Sequence, residues 1–240
     1  EMAYADGILY GITGNPYAYK ARGRDLESLD IDEVTLYARD AQTGTLLWET
    51  TIKGSKRGGT EGFIGGTLSI KGDNLCYITR SQIHCRNSKT GQEIWSRAYP
   101  FWKDTKAAFL TYHTSPPTIV MANTRLFVSE LDQVRAYDMA SGKLLWETEN
   151  QIGYCKTGDL FYVGGLVWTG NLQGLDPATG EVRREIEQPR TGPMCHPRCY
   201  RNRITHNYFI NSLTGGTDLL SLDGSAEYPS PWMRATCGLA

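Results

Sequence analysis

Residues 37–49 read YARDAQTGTLLWE, and this pattern recurs along the chain. The later copies are CRNSKTGQEIW at 85–95, AYDMASGKLLWE at 136–147 and GLDPATGEVRR at 174–184. An Asp or Asn followed by Thr or Ser and then Gly is typical of a tight turn, because the acidic or amide side chain can close the turn and Gly accepts a positive φ. Each copy therefore predicts a β-hairpin whose second strand is rich in β-forming residues.

The spacing of the turn glycines predicts the architecture. They are 47, 51 and 38 residues apart, and periods of about 40–50 residues with several short strands are typical of propeller blades. A Trp follows the first three glycines at the same distance, which indicates one repeated packing position. The predicted docking residues are Gly44, Trp48, Gly91, Trp95, Gly142, Trp146 and Gly180. We therefore predict an all-β chain, a β-propeller of four-stranded antiparallel blades.

The repeat also predicts the domain organisation. We expect a single partial β-propeller over residues 1–240 with four to five blades, which belongs to a ring of seven or eight. A polar segment at 15–32 interrupts the first blade and is expected to be a surface loop. The approximate units are 1–50, 51–98, 99–149, 150–187 and 188–240.

Composition excludes some classes of partner. The chain has 240 residues, 40% of them hydrophobic, and a formal net charge of −1. This length is ample for a core, and the balanced charge argues against a nucleic-acid surface. No run of about 18 apolar residues occurs, so we expect no membrane span.

The cysteine count favours disulfides. Six cysteines are an even number, which fits an exported protein, whereas an intracellular location would leave all of them reduced. A two-residue turn at 80–81 sets Cys76 opposite Cys85, which predicts a bridge with two buried free thiols as the alternative.

The other cysteines lie in less regular sequence. We expect Cys199 to pair with Cys237 and, by elimination, Cys155 with Cys195. The run of Cys195, His196 and Cys199 could supply three zinc ligands, but no fourth ligand is evident, so we predict no metal site.

The motif Asp-x-x-Thr-Gly-x-x-x-Trp resembles the tryptophan-docking repeat of the PQQ-like, quinoprotein-type β-propellers. Its fourth copy departs from the pattern, with Arg184 in place of Trp. The segments HPRCYR at 196–201 and WMRATC at 232–237 resemble the C-terminal part of a planctomycete-type group of exported PQQ-like repeat proteins. The resemblance implies a periplasmic or extracellular location.

The resemblance also bears on the cofactor. The family includes both quinoprotein dehydrogenases and outer-membrane assembly scaffolds. Quinoprotein alcohol dehydrogenases carry two adjacent cysteines over the quinone, and no such pair occurs in this chain. We therefore expect no PQQ and no other cofactor.

The segments before the first strand of each blade are expected to approach the propeller axis on one face. They carry a candidate ligand-binding set, Tyr112, Tyr154, Lys156, Arg198 and Arg201. The candidate catalytic residues are His113, His196 and Tyr200.

These residues are compatible with two functions. The favoured one is a binding or scaffold module whose partner is a protein or a carbohydrate. The alternative is a lyase on acidic sugars, with His113 or His196 as the base and Arg198 or Arg201 holding the carboxylate. Whether the chain is an enzyme stays open at this point.

Overall fold

A computed structural model provides the structure of the chain. It describes residues 1–13, 19–22, 25–28, 33–53, 63, 66–79, 81–98, 117–129, 133–150, 158–187, 202–211, 217–230 and 232. All regular secondary structure in these residues is β-strand. This confirms the predicted all-β class.

The described residues form 22 strands. Their bounds are β1 Met2–Ala5, β2 Ile8–Thr13, β3 Tyr19–Arg22, β4 Asp25–Ser28, β5 Glu33–Asp40, β6 Leu46–Lys53, β7 Ser69–Lys71, β8 Asn74–Ile78, β9 Gln82–Asn87, β10 Glu93–Ala98, β11 Ile119–Ala122, β12 Arg125–Ser129, β13 Gln133–Asp138, β14 Leu144–Glu149, β15 Leu160–Val163, β16 Leu166–Thr169, β17 Gln173–Leu175, β18 Val182–Glu185, β19 Arg203–Ile204, β20 Tyr208–Asn211, β21 Asp218–Ser221 and β22 Glu227–Tyr228.

The strands form five four-stranded antiparallel sheets, each built from strands that are consecutive apart from one inserted hairpin. Sheet 1 has the order β1-β2-β5-β6 and sheet 2 the order β7-β8-β9-β10. Sheets 3, 4 and 5 are β11 to β14, β15 to β18 and β19 to β22. The four-stranded unit predicted from the repeat period is confirmed.

One part of the sequence prediction is wrong. The polar segment at 15–32, expected to be a loop, contains the two-stranded hairpin β3–β4. Its strands, YKAR and DLES, are rich in charged residues, so their composition gives little β signal.

Two compact units make up the chain. The first comprises Glu1–Lys103 and Asp138–Lys143, and the second comprises Asp104–Tyr137 and Leu144–Ala240. Sheets 1 and 2 lie in the first unit, whereas sheets 4 and 5 and nearly all of sheet 3 lie in the second. The single-domain organisation stays a prediction.

The turn between β5 and β6 shows why the repeated motif forms a hairpin. Oδ1 of Asp40 accepts hydrogen bonds from the backbone N–H groups of Gln42 (3.0 Å) and Thr43 (2.7 Å). Gly44 donates its N–H to the Asp40 carbonyl at 2.9 Å and has a φ of +72°. A residue with a Cβ is strained at such an angle, so the motif needs glycine there.

A β-bulge follows the turn and sets which side chains face inward. Trp48 lies opposite Ala38 and Leu46 opposite Arg39, so Leu47 is an extra residue in β6. The same shift occurs on β10, β14 and β18. Because of the extra residue, two consecutive apolar side chains stay exposed and the following Trp turns inward.

Each unit has its own apolar core. In the first unit, buried residues of sheet 1 such as Leu36 and Trp48 pack with Leu75 and Tyr77 of sheet 2. In the second unit, one cluster joins sheets 3 and 4, and another joins sheet 4 to Phe209 of sheet 5. Neighbouring sheets therefore pack face to face within a unit.

Candidate functional site

The repeated tryptophans pack against the turn of a neighbouring repeat. The indole N–H of Trp48 donates to the carbonyl of Ser88 at 2.7 Å, and that of Trp95 to the carbonyl of Met139 at 2.8 Å. Trp146 makes the same bond to Pro177 at 3.1 Å. The acceptor is in each case the residue directly after the turn Asx.

The ring of each of these tryptophans packs against a turn glycine. A Cβ built on Gly91 lies 2.7 Å from the Trp48 ring, and one on Gly142 lies 2.6 Å from the Trp95 ring. Gly180 stands in the same relation to Trp146, at 2.5 Å. The glycine is therefore needed twice, for its positive φ and for the space that the indole occupies.

Arg184 occupies the Trp position in the fourth repeat and keeps half of this interaction. Its Nη1 donates to the carbonyl of Leu222 at 3.2 Å. The backbone N–H of Leu222 bonds to the carbonyl of Asn207, as that of Ser88 does to Asp73. Leu222 therefore corresponds to the acceptor position of the other repeats, and Arg184 supplies the hydrogen bond without the ring.

The outermost strands carry an apolar rim beside these docking residues. Two consecutive positions per strand precede the Trp position. Their apolar members are each 40–47% exposed: Leu46, Leu47, Ile94, Leu144, Leu145 and Val182. We call this set the outer rim, with the first three residues in the first unit and the last three in the second. Exposed apolar residues thus recur at equivalent places in successive repeats.

Sheet 2 also holds a cluster of titratable side chains. The rings of Tyr77 and His84 stack with centroids 4.8 Å apart, and His84 Nδ1 lies 3.0 Å from Glu93 Oε2. Arg86 Nε donates to the Tyr77 hydroxyl at 3.2 Å. Burial raises the pKa of Tyr77 and lowers the pKa of His84, although Glu93 favours the protonated imidazole.

Most of this cluster is buried, although Glu93 is 40% exposed at its side chain. Tyr77 belongs to the core of the first unit, and His84 is only 14% exposed at its side chain. Its hydrogen bonds are made within the protein, so it fills and orders the face between sheets 1 and 2. No pattern in the sequence predicts it, because the four residues belong to three different strands.

The predicted facing of Cys76 and Cys85 is present in the register of β8 and β9. The predicted disulfide between them is not formed. Both cysteines are free thiols, and Cys85 Sγ lies 3.6 Å from the Asn74 side-chain oxygen. The register depends on the strand pattern alone, whereas the bridge also requires oxidation.

The remaining predicted site residues lie outside the described residues. These are Tyr112, His113, Tyr154, Lys156, His196, Arg198, Tyr200 and Arg201, together with Cys155, Cys195, Cys199 and Cys237. The axial ligand site, the lyase alternative and the other two disulfides therefore stay predictions.

Neither a metal site nor a membrane-spanning helix is found in the described residues. They contain no group of three His, Cys, Asp or Glu side chains placed to hold a metal ion. No helix long and apolar enough to cross a bilayer occurs in the described part of the chain.

Comparison with known proteins points to one kind of repeat. Residues 32–101 match a PQQ-repeat family model described as outer membrane protein assembly factor BamB. BamB of Burkholderia pseudomallei (strain K96243) is 26% identical over 145 residues, which are 58% of this chain and 34% of that protein.

The solved structures agree in fold. BamB from Moraxella catarrhalis superposes with a TM-score of 0.53 at 14% identity, over 87% of this chain and 63% of that one. A europium-containing methanol dehydrogenase superposes with a TM-score of 0.52 at 12% identity, over 94% of this chain and 49% of that one. This chain thus spans less than two thirds of the length of each relative. The docking motif, the five four-stranded sheets and these matches make the chain similar to the PQQ-like repeat β-propellers.

Proposed function

We propose that this chain is a protein-binding scaffold module that contacts its partner through the outer rim. The observation that carries the proposal is the repeated exposure of apolar residues just before the docking position. On β6 and β14 two adjacent apolar side chains are exposed, and leaving them in water loses the free energy that their burial would give. A partner that covers these side chains would recover it.

The backbone beside the rim supports this reading. The rim residues lie on the last strand in the order of each sheet, so each of these strands has one neighbour within its sheet. An edge strand offers N–H and C=O groups to an added strand. The bulge residues Leu47, Ile94 and Leu145 interrupt that edge, so side-chain contacts contribute more than a continuous backbone ladder.

The curated relative favours a scaffold role. The curated relative is named as an outer membrane protein assembly factor, and we carry over to this chain only the scaffold role. A periplasmic or extracellular location is part of the proposal, because the name of the same relative refers to the assembly of outer membrane proteins. The sequence-based alternative, a lyase on acidic sugars, gains no support from the described residues.

The family also raises the question of PQQ. Family members that use the quinone pair it with adjacent cysteines and a calcium ion held by carboxylate and amide groups. This chain has no adjacent cysteines, and its described residues hold no cluster of three potential metal ligands. The residues do not fit the group, so we propose a scaffold without bound PQQ.

The experiment places a photo-crosslinking amino acid at Leu47, Ile94 or Leu145 of the natural protein in its host. Lys71, an exposed residue on β7 at the opposite edge of sheet 2, is the matched control. We expect one discrete adduct from the rim positions, its loss in a Leu47→Asp, Ile94→Asp variant that keeps its melting temperature, and none from Lys71. Equal crosslinking at Lys71, or adducts unchanged by the two charges, would overturn the proposal.

A further inference from the structure

Cys76 on β8 and Cys85 on β9 lie directly opposite each other. In the β8–β9 ladder, the N–H of Thr79 donates to the carbonyl of Gln82 at 2.8 Å, so these two residues form a hydrogen-bonded pair. Hydrogen-bonded and non-hydrogen-bonded pairs alternate along antiparallel strands. Three residues further along, Cys76 and Cys85 form a non-hydrogen-bonded pair, the class with the closest Cα atoms.

Such a pair is placed for a covalent link. Facing residues of this class have Cα atoms about 4.5 Å apart, which lies within the range of about 4.4–6.8 Å found for disulfides. Both side chains point to the same face of the sheet, because they are directly opposite each other. Closing the link therefore needs rotation of side chains and no shift of register.

The surroundings of the two thiols shift their pKa values in opposite directions. Both cysteines are fully buried. Burial raises the pKa of Cys76 well above its usual value, and a hydrogen bond from the Cys76 thiol lowers the pKa of Cys85. Cys85 is thus the better nucleophile, since the thiolate is the reactive form.

We propose that Cys76 and Cys85 form a redox site that a disulfide-bearing oxidant converts to a cross-strand disulfide. The Cys85 thiolate attacks one sulfur of the oxidant, which forms a mixed disulfide and releases one thiolate. The Cys76 thiolate then attacks the Cys85 sulfur and releases the second. The protein loses two electrons and two protons, and the oxidant becomes two thiols.

Burial controls the rate of this reaction. An oxidant cannot reach a thiol with no exposed surface, so the exchange requires transient opening of the strands over it. Trp95 lies opposite Cys85 on β10, and its indole is held by the Met139 carbonyl. Opening of β10 therefore limits the rate, and a small amount of denaturant accelerates the reaction.

The bridge closes a short loop and restricts the unfolded chain. Loops of this length give a modest stabilisation, which corresponds to a rise in the melting temperature of roughly 5 °C for a chain of this size. The inference is independent of the scaffold role, because the register and the burial carry it.

The test equilibrates the natural protein with oxidised or reduced glutathione, blocks free thiols with N-ethylmaleimide after unfolding, and maps the peptides by mass spectrometry. We expect a Cys76–Cys85 cross-linked peptide after oxidation and two alkylated cysteines after reduction. Cys76→Ser should trap one glutathione on Cys85, and Cys85→Ser should react more slowly at Cys76. The melting-temperature difference between the two states should shrink in either variant.

The wild-type peptide map decides the question even if a variant fails to fold. Two alkylated thiols after long incubation with excess oxidised glutathione in mild denaturant would overturn the proposal. So would a bridge from Cys76 or Cys85 to any other cysteine.

Discussion

The second and fourth repeats bond to the turn of the next repeat through different side chains. Trp95 is buried, with its ring on Gly142 and its N–H on the Met139 carbonyl. Arg184 is exposed and reaches the equivalent carbonyl, that of Leu222. Two parts of the docking interaction are therefore separable: the hydrogen bond fixes the register between repeats, and the indole supplies apolar burial.

The fifth repeat extends the comparison. Tyr228 lies opposite Leu219, the register position that Trp48 takes opposite Ala38. It is 53% exposed and meets Tyr208 edge-on, with ring centroids 6.2 Å apart. Along the chain the docking position thus changes from buried Trp to exposed Arg and Tyr. We expect this position to contribute most to the free energy of unfolding in the repeats where it holds a buried Trp.

The largest effect should come from removing a buried indole. Trp95→Ala should cost about 3–5 kcal/mol of the free energy of unfolding, because it loses apolar burial and leaves a cavity. Urea denaturation of the purified protein measures it. Trp232→Ala, at a Trp that is 84% exposed, is the matched control and should cost almost nothing. Equal costs for the two variants would contradict the docking role.

The next effect separates ring contact from backbone strain at the turn glycines. Gly142→Ala should cost about 2–4 kcal/mol, from positive-φ strain together with overpacking against the Trp95 ring. Gly44→Ala carries similar strain, with a φ of +72°, but none of the described atoms lies within 4 Å of its Cβ. It should cost about 1 kcal/mol. The comparison fails if both variants lose the same stability in parallel denaturation curves.

A smaller, pH-dependent effect belongs to the second repeat alone. His84 stands where the first repeat has Tyr37 and the third has Arg135. Burial lowers the pKa of His84 in the folded state. The unfolded chain therefore takes up a proton first as the pH falls below about 6.5, and folding stability decreases until the folded pKa is reached.

Melting temperatures between about pH 7.5 and 5.5 test this sign. The wild type should lose stability on acidification across that range, and His84→Gln should flatten the profile. His206→Gln, at an exposed histidine, serves as the control and should leave the profile unchanged. A profile that rises on acidification would show that Glu93 outweighs burial.

The smallest effect should come from the fourth repeat. Arg184→Ala removes one hydrogen bond from an exposed side chain and should cost at most about 0.5 kcal/mol. Arg183→Ala, at the neighbouring bulge residue, removes an exposed ion pair with Asp176 (3.1 Å) and should cost a similarly small amount. A cost for Arg184→Ala near that of Trp95→Ala, measured by the same denaturation assay, would remove the distinction between the two kinds of docking.

Much of the fold was predictable because its signals are local. The turn motif at Asp40 and Gly44 and the facing of Cys76 and Cys85 depend on residues close together in the sequence, and the repeat period follows from the recurrence of that local motif. The hairpin β3–β4 was missed because its strands carry no apolar alternation. The axial site could not be tested, because its residues lie outside the described part of the chain.

The sequence by itself determined the all-β class, the hairpins, the repeat and the identity of the docking residues. Turn chemistry and strand periodicity depend on neighbours along the chain, so they can be read from it. Only the tertiary structure decided that Arg184 takes over the indole's hydrogen bond and that a bulge leaves Leu47 in the outer rim. It also decided that Tyr77, His84, Arg86 and Glu93 come together on sheet 2. Each of these depends on which strand lies beside which, a relation that no local spacing encodes.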